Sequence, residues 1–177
     1  MGNTMKRKCV FFDRDGIVNK SPGLGYVERW QDFYLFPEFV ESARIAVAKG
    51  YAVAIATNQR GVALGIMTQE TLDDMHAKLR EILLTAGVSL LGIFCCVHER
   101  NSCDCRKPLP GLLLQAKKAH DIDLAASWMI GDRETDVDTG RAAGCRTVLV
   151  GVPDTDSNAD FRVVDMAALP AMLECVL

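Results

Sequence analysis

The amino-acid sequence predicts a doubly wound α/β domain with a parallel sheet, and three observations carry that expectation. Short apolar runs alternate with amphipathic stretches of helical period from one end of the 177-residue chain to the other. Several of those runs end in a polar or acidic residue, as strands do where an open sheet meets a ligand crevice. Most helical stretches open on Pro or Thr and most close on Gly, the order in which helix starts and stops occur. With no internal repeat and no low-complexity linker, residues 1–177 read as one domain.

Cys9-Val10-Phe11-Phe12 is a short buried strand, and Asp13-Arg14-Asp15-Gly16 follows it, with Gly16 allowing a turn. On a strand, residues i and i+2 point the same way, so the two carboxylates are expected to share one space. Such a pair needs a cation between its members or a proton on one of them. A polar loop rich in Gly and Pro covers residues 19–31. Pro37 opens a helix that runs to about Lys49 and stops at Gly50. A second buried strand over residues 51–57 leads through Gly61 and Gly65 to Thr68, the N-cap of a helix ending near Gly87. Residues 90–97 form a third strand, and a cysteine-rich loop follows.

Pro110-Gly111 starts a helix through about His120, and residues 128–132 form a fourth strand that again ends in a carboxylate. Residues 134–143 are helical with Gly144 as cap, and residues 146–150 are a fifth strand. A turn-rich segment at 153–160 precedes a short strand near 161–164 and a last helix near the C-terminus.

Composition narrows the function. Hydrophobic residues make up 49% and charged residues 24%, the proportions of a globular protein, and no apolar run is long enough to span a bilayer. A formal net charge of −3 argues against a nucleic-acid surface. Lys6, Arg7 and Lys8 precede an apolar stretch that stops at Asp13, too soon for a signal peptide. The expectation is a cytoplasmic monomer with neither a nucleic-acid nor a membrane partner.

The strand ends carry the chemistry. The first delivers Asp13 and Asp15, the second Thr57 and Asn58, and the fourth Asp132, with Asp136 one helical turn on; Lys107 lies in the loop after the third. Singly, each has an ordinary structural reading as a turn former, a cap or a solvated lysine. Together they supply what phosphoryl transfer requires. One carboxylate attacks phosphorus, and a second protonates the leaving oxygen and then deprotonates water. Mg²⁺ holds Asp13 and Asp132 together, while Thr57, the backbone N–H of Asn58 and Lys107 steady the equatorial oxygens.

A second constellation lies beside it. Seven cysteines without an export signal argue against a disulfide scaffold. Cys96-x-His98, followed closely by Cys103-x-Cys105, offers three thiolates and an imidazole, a closed tetrahedral set for structural Zn²⁺. This loop runs directly into Arg106 and Lys107, so metal there would position the lysine.

The order Asp13-Arg14-Asp15-Gly16, Thr57, Lys107, Gly131-Asp132-Arg133-Glu134-Thr135-Asp136 resembles the four motifs of the haloacid dehalogenase-like (HAD) superfamily, with Ile17 where most members have Thr. The resemblance implies a HAD-like Rossmannoid core, Asp13 as nucleophile and Asp15 as general acid/base. It also implies Mg²⁺ held by Asp13, Asp132 and the backbone carbonyl of Asp15, with Asp136 as a supporting or occasional direct ligand. Dehalogenases of the superfamily lack the second Asp, so its presence implies a phosphatase. The stretches from Asp15 to Asn58 and from Thr57 to Lys107 leave no room for a cap domain, so residues 21–28 and the cysteine loop are the candidates for substrate recognition. Cys96-x-His98, Cys103-Asp104-Cys105-Arg106-Lys107-Pro108 and Thr57-Asn58-Gln59-Arg60-Gly61 are similar to the capless heptose-bisphosphate and histidinol-phosphate phosphatases. That subgroup implies a small phosphorylated sugar as substrate, with Asn58, Arg106 and Arg133 contacting it; the short span from His98 to Cys103 is closer to the histidinol-phosphate members. A phosphoacceptor signalling domain and a non-catalytic zinc module are the other classes. The first places its acidic pair and phosphoacceptor on different strands and has no zinc loop.

Overall fold

The computed structural model describes residues 6–151 and 156–177. Its strands are β1 (Cys9–Phe12), β2 (Ala52–Asn58), β3 (Leu90–Cys96), β4 (Trp128–Gly131), β5 (Arg146–Val150) and β6 (Phe161–Val163). The α-helices are α1 (Pro37–Ala48), α2 (Gln69–Thr85), α3 (Gly111–His120), α4 (Glu134–Ala143) and α5 (Leu169–Val176). The strands form one parallel sheet in the order β3-β2-β1-β4-β5-β6.

Side-chain alternation on the central strand explains the two layers of helix. Val10 and Phe12 of β1 face a core with α1, α2 and α5, whereas Cys9 and Phe11 face a second core with Leu112, Leu113 and Ala116 of α3. Both faces are buried, which is why β1 reads as a continuous apolar run rather than an alternating one. On α2 the buried residues Leu72, Met75, His76, Leu79 and Leu83 fall at helical spacing. Its start is fixed by Thr68, whose Oγ1 accepts a hydrogen bond from the Thr71 N–H at 3.0 Å.

Boundaries depart from expectation by a residue where pairing or its absence dictates. β2 extends to Asn58 because Asn58 pairs with Cys96, and β3 stops there. β4 ends at Gly131, which leaves Asp132 on the turn. Of the turn expected over residues 153–160, residues 153–155 lie outside the described residues. Asp160 ties the remainder to β5, its Oδ2 accepting from the Thr147 N–H at 2.8 Å and the Thr147 hydroxyl at 2.9 Å. The sheet order places β1 between β2 and β4, so the chain reverses direction across the sheet beside β1. That switch point opens a crevice at the carboxyl ends of β1 and β4.

Candidate active site

The crevice collects the residues expected to react. Asp13 directly follows β1, and its N–H donates to the Ile130 carbonyl at 2.8 Å, carrying the β1–β4 pairing one residue beyond the strand. Asp132 follows β4, Thr57 lies near the end of β2, and Lys107 enters from the loop after β3. The Lys107 ammonium lies 2.6 Å from Asp13 Oδ1 and 2.5 Å from Asp136 Oδ1, and donates to the Ala56 carbonyl at 2.9 Å. All three side chains are buried. Burial holds the Asp13 carboxyl above its usual range, with Asp136 and Asp15 adding to the effect and Lys107 opposing it. Burial alone would lower the lysine, but the two carboxylates outweigh it and push its pKa up.

Asp15 stands apart from this pair. β1 has ended, so the side chain reaches the cavity from a turn rather than by strand alternation. The Arg14 carbonyl closes that turn by accepting from the N–H groups of Val18 at 2.8 Å and Asn19 at 3.0 Å. Asp15 Oδ1 accepts from Arg14 and Asn19, both at 3.0 Å, and Oδ2 accepts from Gln59 at 2.9 Å. Burial alone would raise Asp15, yet the Arg14 guanidinium and the Asn19 and Gln59 amides outweigh it and hold the carboxyl below its ordinary value. The sequence spacing calls for a cation between the two carboxylates or a proton on one; the side chains present give each carboxylate a separate partner. Each has its own: Lys107 for Asp13, Arg14 for Asp15.

Two glycines make the acidic cluster possible. A Cβ on Gly16, where φ is +101°, would strike the Asp132 carboxylate, and a Cβ on Gly131 would strike Asp136. Asp13, Asp132 and Asp136 each bring one oxygen into a group whose members lie within 4.8 Å of one another. Asp132 Oδ1 is buried with no hydrogen-bond partner among the described residues, and burial followed by Asp136 raises this carboxyl to about 6. An orphaned carboxylate oxygen among three carboxylates fits a hard divalent cation such as Mg²⁺. Asp136 also accepts from the Arg133 N–H at 3.1 Å, so it caps α4 while holding Lys107.

The cysteine loop assembles beside the lysine. Cys96 Sγ lies 3.6 Å from both His98 Nδ1 and Cys103 Sγ, and Cys105 Sγ lies 3.3 Å from His98 Nδ1. A tetrahedron with bonds of about 2.3 Å to sulfur has edges of about 3.8 Å, so the four donors match a zinc-type metal site. Burial alone would raise the Cys103 thiol, but the N–H groups of Cys105 and Arg106 bring it down to about 7, toward the thiolate a metal takes. Cys95 packs against the opposite core from Cys96, as strand alternation requires.

Beside the acidic cluster lies a cavity of about 420 Å³, lined by Asp13, Asp15, Thr57, Asn58, Lys107, Asp136 and residues 22–26. Arg60, Arg100, Arg106 and Arg133 ring it. Arg106 Nη1 is buried without a partner among the described residues, while Arg133 is largely exposed. The Asn58 side chain is committed elsewhere: its Oδ1 accepts from the Lys107 N–H and its Nδ2 donates to the Lys107 carbonyl, both at 3.1 Å. Sequence reasoning missed Arg14, Asn19 and Gln59 around Asp15, and Arg60 and Arg100 on the rim. Arg60, paired with Glu99 at 2.5 Å, was legible only as a member of the 57–61 stretch that carries the family resemblance.

This fold and these strand ends define a phosphatase of the HAD type. Residues 104–165 match a family model described as HAD-hydrolase-like. The chain is 38% identical over 148 residues to the D-glycero-β-D-manno-heptose-1,7-bisphosphate 7-phosphatase of Pseudomonas aeruginosa, covering 82% of each chain. It is 34% identical over 180 residues to the enzyme of the same name from Escherichia coli K12, covering 94% of this chain and 93% of that one. Among solved structures it resembles the D,D-heptose 1,7-bisphosphate phosphatase of B. bronchiseptica complexed with magnesium and phosphate, at a TM-score of 0.80 and 30% identity, covering 94% of this chain and 97% of that one. The chain belongs to the heptose-bisphosphate phosphatase family of HAD hydrolases.

Proposed function

We propose that this chain hydrolyses phosphate monoesters through a phosphoenzyme on Asp13, and that its substrate is the 7-phosphate of D-glycero-β-D-manno-heptose 1,7-bisphosphate. One observation carries the reading: a buried carboxylate, Asp13, and a half-buried one, Asp15, each with its own cation, line a single cavity that four arginines also line. The relatives' names supply the sugar, and a second phosphate on the substrate gives the arginine rim an anion to bind.

In the first half-reaction an Asp13 oxygen bonds to phosphorus as the bond to the leaving oxygen breaks, and the Asp15 proton passes to that oxygen to give the alcohol. In the second, water bonds to phosphorus while Asp15 takes its proton. The Asp13–phosphorus bond breaks, releasing inorganic phosphate. Asp15 in the resting site favours the ionised form, which is the base of the second half. A phosphoryl dianion arriving beside it raises its proton affinity for the first. Asp13, Asp132 and the Asp15 backbone carbonyl would hold Mg²⁺, with Asp136 beside them; when bound it neutralises phosphoryl charge and lowers the repulsion facing the nucleophile. Thr57, the Asn58 backbone N–H and Lys107 steady the transferring group, and Arg106 and Arg133 take the distal phosphate. Cys96, His98, Cys103 and Cys105 would hold Zn²⁺ as a structural ion.

Histidinol phosphate is the second reading, favoured by the short span between His98 and Cys103. Parallel turnover assays separate the two. The heptose bisphosphate is expected to exceed histidinol phosphate by about 100-fold in kcat/KM, and Asp13→Asn to lose at least about 10³-fold on either. The reverse ranking would discard the heptose assignment, and an active Asp13→Asn would discard the phosphoenzyme.

A further inference from the structure

Arg14 lies between the two carboxylates in sequence but not in space, and its side chain has no solvent exposure. It enters the core that holds Phe33, Leu72 and Met75, with the guanidinium 5.8 Å from the centre of the Phe33 ring. There Nε and Nη2 donate to Asp15 Oδ1 at 3.2 and 3.0 Å, and Nη2 also reaches Oδ2 at 3.2 Å. Nη1 faces His76 Nε2 at 3.5 Å, from the buried side of α2. Among the described residues, Asp15 and His76 are the only side-chain or backbone partners of the guanidinium.

A charge wholly inside an apolar core is a poor stabilising device. Removing it from water is costly, and replacing a whole buried ion pair by apolar side chains of similar volume often serves stability as well or better. What the guanidinium supplies instead is a rigid planar fork. With Asn19 on Oδ1 and Gln59 on Oδ2, that fork fixes the plane of the Asp15 carboxylate, while His76 fixes the fork from behind. We infer that Arg14, backed by His76, is the positioning residue for Asp15, aiming its carboxyl at the leaving oxygen. This rests on the phosphoenzyme reading above, in which Asp15 delivers that proton.

The leaving group provides the test. p-Nitrophenolate departs without a proton, whereas an alkoxide needs one, so in kcat/KM, which ends at phosphoenzyme formation, a misaimed Asp15 penalises alkyl esters alone. kcat/KM is measured for p-nitrophenyl phosphate and for a primary alkyl phosphate in the wild type, Arg14→Met and Arg14→Lys. Arg14→Met is expected to lose about 100-fold on the alkyl ester and less than about 5-fold on the aryl ester, with Arg14→Lys between it and the wild type. Equal losses on both esters, or no loss on either, in a variant that melts within a few degrees of the wild type would overturn the inference. Should Arg14→Met not fold, His76→Leu carries the same comparison: a loss confined to the alkyl ester supports it, and any other pattern overturns it. A wild type inert toward heptose bisphosphate would remove the substrate assignment and leave this comparison intact. An active Asp13→Asn would remove the phosphoenzyme whatever Arg14 does.

Discussion

Asn58 shows how far a residue's job can lie from its place in a motif. It stands at the end of β2, where a substrate contact is expected, yet both ends of its amide bind the Lys107 backbone. Losing it leaves a buried N–H and C=O without partners, at about 1–3 kcal/mol. Asn58→Ala is therefore expected to lower both melting temperature and kcat, the latter by about 10-fold, with KM little changed; steady-state kinetics would show the reverse split if the amide contacted substrate. Gly16 is the complementary case, a residue whose missing side chain matters. An added Cβ meets the Asp132 carboxylate at a positive φ, so Gly16→Ala is expected to raise the Mg²⁺ concentration for half-maximal activity by at least about 10-fold. Metal titration of activity reads this directly, and an unchanged midpoint would mean that Asp132 does not set the metal site. The carboxylates, the lysine and the glycine turn were legible because residue type and spacing announce them. Arg14 and Gln59 were not, because they act by reaching Asp15 from the core and from the loop after β2, and no local pattern records where a buried side chain ends.

At the scale of elements, helix and strand identity followed from periodicity, and α4 and β5 have the expected limits because Gly144 and the apolar run of residues 147–150 each end abruptly. Pairing order was not legible, since the neighbours of a strand are chosen by contacts distant in sequence. The cysteine loop is the element on which function turns most. It connects β3 to Lys107, and Gly111 lets the start of α3 approach its backbone at Asp104 and Cys105. If metal holds this loop, the lysine is only as well placed as the four donors. Elemental analysis is expected to find about one zinc per chain, and Cys103→Ser to lose it along with at least about 10-fold in kcat/KM. A zinc-free variant of native circular dichroism and undiminished turnover would make the metal a bystander to catalysis.

For the molecule as a whole, α2 joins the turn that carries Asp15 to the larger of the two cores, and His76 is where they meet. Burial, followed by the Arg14 guanidinium, lowers its pKa from 6.5 to about 4. Between those values the unfolded chain binds a proton that the native one refuses, so stability is complete above about pH 6.5 and is lost as pH falls toward 4. Protonation would set an imidazolium against Arg14 inside an apolar core. The contribution is on the order of 2–3 kcal/mol by pH 4.5, or roughly 5–10 °C in melting temperature for a chain of this size. His76→Gln keeps an acceptor facing the guanidinium but removes the titration. Carboxylates that titrate in the same window do so in both proteins, so the difference between their pH dependences isolates His76. Calorimetric melting at pH 7 and pH 4.5 is expected to show a fall at least about 5 °C larger in the wild type than in His76→Gln. Equal falls would mean that the imidazole is already charged in the native core, paired with Asp73 rather than accepting from Arg14.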